Sequence, residues 1–356
     1  MEPTFEQKIG VLSLNLNWTR LITVGCTFLL FAAVSKTESA DKMPADKAGI
    51  ISTPKGKIAF LRDKNVWVLD LDRQQQGKSD AFQLICEAGN GDGRLSWSPD
   101  NKEVLFTRSG KLELNSPDGM GGKHKVYDIF TAFLDSAYAN NKKFWMGVTS
   151  SLGGRDPEWN KVSQKVVFWQ DMSANAANAL YPNYQICTMN GDGSNIELIR
   201  KDWQTFDSTF MMIAPSMKDD GSIATSVFFG GKAQGIAVIG PTEYMLPRDA
   251  IKERARKNLK KVAPSWSPDG KWIGYVYNDM NNPGIYVASP DFSQDYIVFV
   301  PPVGANLFTI SPSFSPDSKW LTFATTDGSI WICDITGSGA RRLSGPGMDS
   351  SPAWSK

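Results

Sequence analysis

The sequence predicts an all-β fold: a six-bladed β-propeller of four-stranded antiparallel blades, with a ring closed by the C-terminal strand. Three observations support this prediction: a recurring turn motif, the count and spacing of its copies, and a final half-copy at the C-terminus. All three require many short strands joined by tight turns. The 31 glycines and 20 prolines of the 356-residue chain agree with that requirement.

The recurring motif is an aromatic residue, a polar turn and then alternating apolar residues. Its clearest copies lie at 265–271 (SWSPDGK), 96–102 (SWSPDNK) and 313–319 (SFSPDSK). Proline presets φ at the second position of a turn, and Asp followed by Gly or Asn supplies a side-chain cap and a residue that tolerates positive φ. The flanking residues are therefore predicted to form two antiparallel strands that share a buried face.

The number and spacing of the copies predict the architecture. Each unit continues into a third strand and a glycine-rich turn, as in 185–199 and 329–344, which completes a four-stranded blade. Blade starts lie near residues 52, 97, 159, 217, 266 and 314, so residues 46–356 hold six blades. The half-copy PAWSK at 352–356 predicts that the last strand joins the first blade, which leaves no free sheet edge in the ring.

These repeats resemble those of the TolB-like propeller family, in which a PSWSPDGK-type turn is followed by an apolar strand and a turn similar to SGARRLS at 338–344. The resemblance covers residues 46–356 and implies a propeller in the cell envelope. TolB itself carries an additional α/β domain ahead of its propeller, and no segment between the leader and residue 46 fits such a domain. Propellers of this kind serve as periplasmic binding scaffolds, as gates on peptidases or as sugar lyases.

Residues 1–40 are predicted to be a leader. The apolar run 21–34 (LITVGCTFLLFAAV) follows Arg20 and precedes a polar stretch. Fourteen helical residues cover about 21 Å, short of the roughly 30 Å hydrocarbon core, so an export signal is favoured over a spanning helix. Cleavage is predicted after Ser35, and an uncleaved anchor or lipid attachment at Cys26 remain alternatives. The expected location is the periplasm or a membrane-associated place in the envelope.

Composition argues against several functional classes. The 38 Lys and Arg residues balance 37 Asp and Glu residues, so no strong field attracts nucleic acid. No cofactor or metal is expected, because the chain has one histidine, His124, and because Cys86, Cys187 and Cys333 lack metal-ligand spacing. These cysteines are predicted to be buried and unpaired. The chain also lacks a GxSxG nucleophile motif, so the sequence predicts that the protein is not an enzyme.

Two regions are predicted to bind a partner. By resemblance to the family, the strand with the aromatic motif is innermost, so the residues just before it should lie at the channel mouth. These residues are Arg94, Arg155, Asp156, Asp207, Lys261 and Asp349. Their mixed charges suit a peptide or protein terminus, although a merely solvated rim is the alternative.

The second region is a basic insertion at 241–262, in which Ile251, Ala255 and Leu259 recur as on one stripe of a short helix. Its candidate contact residues are Arg254, Lys257 and Lys260. The alternatives for this face are contact with an acidic partner, contact with anionic lipid headgroups, or simple solvation.

The sequence therefore predicts an exported, monomeric and non-catalytic propeller that scaffolds a complex by binding an envelope protein or peptide. The alternatives are a carbohydrate-binding surface module and a degenerate propeller lyase or hydrolase. Aligned acidic residues in the channel would favour an enzyme, and exposed aromatic residues at the mouth would favour a carbohydrate-binding module. A polar rim with a basic helix would favour the scaffold.

Overall fold

Six antiparallel sheets follow one another along the chain in the computed structural model, and each is one blade of a propeller. The structure describes residues 41–44, 46, 52–115, 123–134, 145–149, 153–172, 184–200, 210–230, 233–279 and 282–356. The predicted leader lies outside these ranges. Across them, no helix has the length and apolarity needed to cross a bilayer.

The first three blades contain the N-terminal strands of the propeller and the last strand of the chain. Blade 1 consists of β1 Lys57–Arg62, β2 Asn65–Asp70, β3 Phe82–Cys86 and the C-terminal β23 Asp349–Trp354, with helix α1 Leu71–Gln75 and a 3₁₀ turn Ser79–Ala81 between β2 and β3. Blade 2 consists of β4 Gly91–Trp97, β5 Glu103–Asn115, β6 Lys123–Phe133 and β7 Trp145–Gly147. Blade 3 consists of β8 Gly154–Trp159, β9 Lys165–Asp171, β10 Tyr184–Asn190 and β11 Glu197–Leu198.

The last three blades follow the same order, except for a helix after blade 4. Blade 4 consists of β12 Phe210–Met217, β13 Ile223–Phe229 and β14 Ala233–Ile239, followed by helix α2 Arg248–Arg256. Blade 5 consists of β15 Lys261–Trp266, β16 Ile273–Tyr277, β17 Gly284–Ala288 and β18 Asp295–Phe299. Blade 6 consists of β19 Ser313–Phe314, β20 Trp320–Thr325, β21 Ser329–Asp334 and β22 Arg341–Arg342.

The ring is closed by the C-terminal strand, as the sequence predicts. Strand β23 pairs antiparallel with β1, with Ile58 opposite Trp354 and Arg62 opposite Asp349. Around the ring, the first strands of neighbouring blades contact one another in the order β23, β4, β8, β12, β15, β19 and back to β23. The strand that carries the aromatic motif is therefore the innermost strand of its blade and borders the channel.

The turn motif is stabilised by its own side chains. In blade 5, Ser267 Oγ donates to Asp269 Oδ1 at 2.7 Å, and this oxygen also accepts the Lys271 N–H at 3.1 Å. Ser267 Oγ in turn accepts the Trp272 N–H at 2.9 Å, and Gly270 has a φ of +68°. The same bonds recur in blades 2 and 6. The motif is therefore a local turn, which explains why it identifies the fold without identifying a function.

A serine just before the motif's aromatic position, which Met217 occupies in blade 4, joins one blade to the next. Its hydroxyl oxygen accepts the backbone N–H of the aromatic residue in the following blade. The pairs are Trp159 N–H to Ser96 Oγ, Trp266 N–H to Ser216 Oγ and Trp354 N–H to Ser313 Oγ, each at 2.9 Å. These bonds satisfy buried polar groups of the innermost strands and fix the blades relative to one another.

Blade 4 has three strands among the described residues, and the segment around α2 occupies the outermost position. Three alternate carbonyls along β14 accept hydrogen bonds from this segment: Gln234 O from Lys260 N at 2.9 Å, Ile236 O from Asn258 Nδ2 at 3.1 Å and Val238 O from Arg254 Nη1 at 2.7 Å. The segment thus covers a sheet edge that would otherwise be open to another chain.

The close approach of α2 to β14 requires glycine at position 235. A Cβ atom there would lie 2.1 Å from the Ala255 carbonyl oxygen. Ile251 and Ala255, which the sequence places on one stripe of the helix, are both fully buried. Leu259 follows the end of the helix and is exposed, although its backbone makes an isolated bridge with Gly235.

Two further predictions concern single residue types. Cys86, Cys187 and Cys333 are buried and free, as predicted, and burial raises the pKa of the first two thiols to about 12. The glycine-rich sequence before His124 (GMGGK) suggests a loop, but this prediction is wrong: His124 lies in β6 and its backbone pairs with Leu114 of β5, because these two strands extend well beyond the other strands of blade 2.

Candidate functional site

Arg94 spans the centre of the channel. It lies on β4 of blade 2, and its guanidinium forms an ion pair with Glu158 of blade 3. Its Nη1 also donates to Pro215 O of blade 4 at 2.8 Å, and its Nη2 donates to Pro264 O of blade 5 at 2.9 Å. A single side chain therefore links the innermost strands of four blades.

Glu158 continues this network toward blades 4 and 5. Its Oε1 accepts the Ser216 hydroxyl at 2.9 Å, and Ser216 Oγ accepts the Trp266 N–H. The side chains of Arg94 and Glu158 are only 8% and 14% exposed. Removing one member of a buried pair leaves an uncompensated charge, so losing either side chain is expected to cost more stability than losing one member of a surface pair.

The repeated turns surround one end of the channel, which we name the turn-side mouth. It is formed by residues 98–103, 160–165, 218–223, 267–272, 315–320 and 355–356. Two cavities of about 60 and 90 Å³ open here, and they share the lining residues Glu158, Trp266, Pro268, Pro316 and Lys356. The floor is the Arg94–Glu158 pair, because Arg94 lines the first cavity and Glu158 lines both.

Lys356 reaches into both cavities. Asn101 fixes its backbone, since the Lys356 N–H donates to Asn101 Oδ1 at 2.7 Å and Asn101 Nδ2 donates to Lys356 O at 3.0 Å. Burial lowers the pKa of the Lys356 ammonium, while the nearby charge of Glu158 opposes this effect. Its chemistry is that of a desolvated cation facing a small polar space.

Two more lysines line the larger cavity. Lys218 lies 3.0 Å from Asp220 and also lies over the Trp266 ring at 5.6 Å. Lys161 is exposed, and within the described residues neither it nor Lys356 has an acidic partner at ion-pair distance. Lys161 and Lys356 therefore form no side-chain ion pair among the described residues, although Glu158 and Asp219 line the same cavity.

The predicted channel-mouth residues of blade 3 make contacts within the protein. Arg155 Nη2 lies 2.9 Å from Asp92 Oδ2, and its guanidinium stacks 3.9 Å from the centre of the Tyr127 ring. Asp156 accepts the Arg94 N–H at 2.8 Å and the Trp169 indole N–H at 2.8 Å. Their predicted role in binding stays a prediction.

The other predicted mouth residues are also engaged. Lys261 Nζ lies 2.6 Å from Asp295 Oδ2, where the Tyr275 hydroxyl donates to the same carboxylate. Asp349 is buried and accepts two bonds at 2.7 Å from Arg62. Asp207 lies outside the described residues. The described members of the predicted set lie at or near the starts of the innermost strands β4, β8, β15 and β23, and most of their charges pair with a neighbour on their own or an adjacent blade. Their role in binding a partner stays a prediction.

In the basic insertion, Arg254 forms two bonds to Glu243 at 2.6 and 2.7 Å, and the hydrogen bonds from Arg254 are the main reason that the pKa of Glu243 falls to about 2. Lys260 lies 2.6 Å from Asp279. Lys257 is exposed and has no acidic partner in the described ranges. Of the three candidates, only Lys257 presents an uncompensated charge.

Sequence reasoning did not single out Glu158, although a signal was present. Five of the six motifs carry proline two residues before the aromatic position, at 157, 215, 264, 312 and 352. Blade 2 breaks this pattern with Arg94-Leu95, and blade 3 has Glu158 where blade 2 has Ser96. The exceptions to the two patterns are Leu95, Glu158 and Ala353; Glu158 is one partner of the central ion pair, and Leu95 follows the other, Arg94. A comparison of the motif copies for positions that depart from the common pattern would have identified Glu158.

No group of three or more His, Cys, Asp or Glu side chains able to hold a metal ion occurs in the part of the chain that the structure describes. Among the described residues, the charged groups that line the cavities at this mouth include Arg94, Glu158 and Lys356, with Arg94 and Glu158 in direct contact. This arrangement can bind a polar or anionic group by hydrogen bonds and charge.

No family model and no curated protein matches the sequence. Solved structures do match the fold. TolB from Acinetobacter baumannii superimposes with a TM-score of 0.59 at 18% identity over 86% of this chain and 68% of that chain. A putative TolB from Agrobacterium tumefaciens gives 0.50 at 14% identity over 82% of this chain and 90% of that chain.

An oligogalacturonate lyase from Vibrio parahaemolyticus has a lower TM-score of 0.44 at 15% identity, over 78% of this chain and 74% of that chain. At these identities the two TolB matches establish the fold alone and leave function to the site. The chain has a TolB-like six-bladed propeller fold.

Proposed function

We propose that this protein is a non-catalytic propeller that binds a protein or peptide partner in the cell envelope, and that the partner docks at the turn-side mouth. One observation carries the proposal: a rigid ring of turns surrounds a polar cavity in which Lys161 and Lys356 have no acidic partner among the described residues. The envelope setting follows from the likeness to TolB structures and is part of the proposal.

The mouth is preorganised because its turns are bonded from blade to blade. The Asp269 N–H donates to Ser318 Oγ at 3.1 Å, and the Ser52 hydroxyl donates to Asp317 Oδ2 at 2.8 Å. Lys356 is fixed to Asn101 in the same way. A surface that is already ordered loses little conformational entropy when a partner binds, so more of the contact energy appears as affinity.

The distribution of charge also favours this end of the channel. Arg94, Lys261 and Asp349, which the sequence suggests for the channel mouth, are neutralised within the protein. Lys161 and Lys356 are available to an acidic segment of a partner. Such complementarity chiefly increases the rate and specificity of association.

Binding fits the channel better than catalysis or glycan stacking does. The Arg94–Glu158 pair links the innermost strands across the channel, and no cluster of three or more acidic side chains occurs among the described residues. Trp159 and Trp266 at the mouth are 8% and 7% exposed, so they offer no open platform for a sugar ring. These features support the scaffold over the lyase and the carbohydrate-binding alternatives.

The test is an affinity capture from the envelope fraction of the source organism with the tagged full chain. Lys161→Glu is the variant at the mouth, and Lys257→Glu is the matched control because it reverses an exposed lysine on blade 4 instead. We expect one stoichiometric protein to be retained by the wild type and by the control. Charge reversal at the mouth is expected to weaken its binding by about tenfold or more.

The captured protein would then be purified and titrated by calorimetry against the wild type, Lys161→Glu and Lys257→Glu. A direct complex that depends on Lys161 supports the proposal. Equal capture by all three chains, or the loss of binding in the control alone, would exclude the turn-side mouth as the docking site. A set of non-stoichiometric proteins that does not rebind after purification would contradict the scaffold itself.

A further inference from the structure

An exposed apolar loop follows β18 and leads from blade 5 to blade 6. We name residues 300–303 (VPPV) the VPPV loop. It lies where β18 ends, at the end of blade 5 opposite the 267–272 turn and thus opposite the turn-side mouth. Val300 is 62% exposed, and Val303 is fully exposed. Two exposed valines so close together at one strand end form an apolar patch on the surface.

The sequence around this loop is free of charge. Residues 296–316 contain no Asp, Glu, Lys or Arg, although these types make up 21% of the chain. Surface connections normally carry polar or charged side chains, as the turn at 98–103 does with Asp100, Lys102 and Glu103. The VPPV loop is therefore suited to an apolar environment and not only to water.

Hydrogen bonds hold the loop in its exposed conformation. The Ala305 N–H donates to Pro302 O at 3.0 Å, which closes a tight turn with Val303 near its tip. Beyond this turn, the Asn306 N–H donates to Thr326 Oγ1 at 3.0 Å, and the Thr326 N–H donates to Asn306 O at 2.9 Å. Two successive prolines also fix φ within the loop. Val303 therefore loses little conformational freedom when an apolar environment covers it.

Met348 adds a third apolar side chain at the same end of the blades. It is 67% exposed and directly precedes β23. The turn between β20 and β21 lies beside both loops, because Thr326 bonds to the residue that follows the VPPV turn and the Gly347 N–H donates to Asp327 O at 3.0 Å. Asp327 in this turn lies 3.5 Å from Arg342, so its charge is paired within the protein.

The N-terminal part of the chain leads to the edge of β18. Asp41 O accepts the Ile297 N–H at 3.2 Å, and Met43 is 4% exposed within the hydrophobic cluster that contains residues of β18. Only six residues separate Asp41 from the apolar run 21–34, and an extended chain of seven steps covers at most about 25 Å. A bilayer that holds this run would therefore lie within that distance of β18.

A bilayer also accounts for a second apolar contact. Fourteen helical residues cover about 21 Å of a hydrocarbon core of roughly 30 Å, so the run 21–34 alone is a marginal anchor. Stable attachment to a membrane usually takes two signals, and apolar side chains buried at the interface can supply one of them. Protein interfaces have a polar rim around an apolar core, so the absence of charge in residues 296–316 favours lipid over a protein partner.

We propose that the VPPV loop and Met348 insert into the surface of the lipid bilayer in which the apolar run 21–34 is retained as an uncleaved anchor. The turn-side mouth lies at the other end of the blades and stays accessible to a protein partner. This inference does not rest on the proposed function, because it concerns a different surface and a different kind of partner.

The test uses the full chain in vesicles of phosphatidylethanolamine and phosphatidylglycerol. A genetically encoded, environment-sensitive fluorophore replaces Val303 or Met348, and the matched control replaces Val162, an exposed valine at the turn-side mouth. Interfacial groups lie about 5–10 Å within the headgroup region, so nitroxide-labelled lipid is expected to quench the probes at Val303 and Met348 by about half or more. The probe at Val162 should keep its fluorescence.

Charged variants test whether the loop itself makes the contact. In Val300→Asp/Val303→Asp, quenching of the probe at Met348 is expected to fall to the level of the Val162 control, because carboxylates resist entry into the bilayer. Both side chains are exposed, so the substitutions leave the core intact. A single Val162→Asp substitution at the turn-side mouth should leave quenching at Met348 unchanged.

Three results would overturn the inference. The first is equal quenching of all three probes, which would mean that the propeller has no preferred orientation on the bilayer. The second is an unquenched probe at Val303, which would place the loop in water. The third is a spectral shift at Val303 that depends on protein concentration and not on lipid, which would assign the loop to a contact between two copies of the chain.

The intact mass of the protein isolated from the envelope fraction provides an independent readout. We expect the mass to include residues 21–34. A chain that begins at Lys36 would exclude the retained anchor and overturn the proposal.

Discussion

Two arginine–glutamate pairs do similar structural work at opposite edges of the blades. Arg94 pairs with Glu158 inside the channel and donates to the carbonyls of two innermost strands. Arg254 pairs with Glu243 on the outside of blade 4 and donates to the Val238 carbonyl of β14. In each case a guanidinium satisfies a strand carbonyl while a carboxylate holds the guanidinium in place.

The two pairs differ in their access to water. The inner side chains are 8% and 14% exposed, and the outer ones are 36% and 38% exposed. Water can replace the partners of an exposed pair, so such a pair contributes about 0–1 kcal/mol, whereas breaking a buried pair costs about 3–5 kcal/mol. Breaking the inner pair is therefore expected to lower the stability of the fold much more than breaking the outer pair.

The largest effect is expected from Arg94→Met. It leaves Glu158 buried without its counterion and leaves the Pro215 and Pro264 carbonyls without donors. We expect a loss of about 3–5 kcal/mol in the free energy of unfolding, measured by urea titration.

The double variant Arg94→Met/Glu158→Leu should recover part of this loss, because it removes both charges. A loss below about 1 kcal/mol for Arg94→Met would mean that water reaches the centre of the channel and that the inner pair behaves like the outer one.

A smaller effect is expected from Arg254→Ala. It removes the donor to Val238 O and the partner of Glu243, but both groups remain accessible to water. The expected loss is about 1 kcal/mol in the same titration. Arg256→Ala is the control, since Arg256 pairs with Glu253 on the exposed side of α2 and is expected to cost about 0.3 kcal/mol. If Arg254→Ala lowered the free energy of unfolding as much as Arg94→Met does, the inner and outer ion pairs would not differ in their contribution to stability.

The smallest effect concerns pH. The pKa of Glu243 is lowered from 4.5 to about 2 by its bonds to Arg254 and to the Gly240 N–H. Because the folded pKa is depressed, the contribution of the pair is fully present above the unfolded value and is lost as pH falls from about 4.5 to about 2.

The stability difference between wild type and Glu243→Gln should therefore be constant above about pH 5 and shrink below it. Since both side chains are more than one-third exposed, the whole effect is expected to stay under about 1 kcal/mol and to weaken with salt. If the stability difference between wild type and Glu243→Gln did not change down to pH 2, protonation of Glu243 would not be coupled to folding.

The fold could be predicted because its signal is local. The Ser267–Asp269 turn carries its own hydrogen bonds, so a few residues are enough to place two strands. The candidate site could not be predicted in the same way. Arg94 and Glu158 are 64 positions apart, and the acceptors of Arg94 on Pro215 and Pro264 lie on blades that meet it only across a closed ring.

The basic insertion shows the same limit. Its charge pattern suggested a face for an acidic partner, but Arg254 pairs with Glu243 at the start of the insertion, and Lys260 pairs with Asp279 of blade 5. Its structural role, covering the β14 edge, depends on carbonyls that a one-dimensional pattern does not show.

The closure of the ring by β23 has a consequence for synthesis. Arg62 and Asp349 form an ion pair across 287 positions, so the inner edge of the first blade stays open until nearly the whole propeller has been translated. At roughly 5–20 residues per second this interval lasts on the order of 15–60 seconds. During that time β1 offers an unpaired edge, and the Trp97 indole lacks its acceptor on Ala353. The nascent chain is therefore exposed to strand exchange with another copy until its last strand arrives.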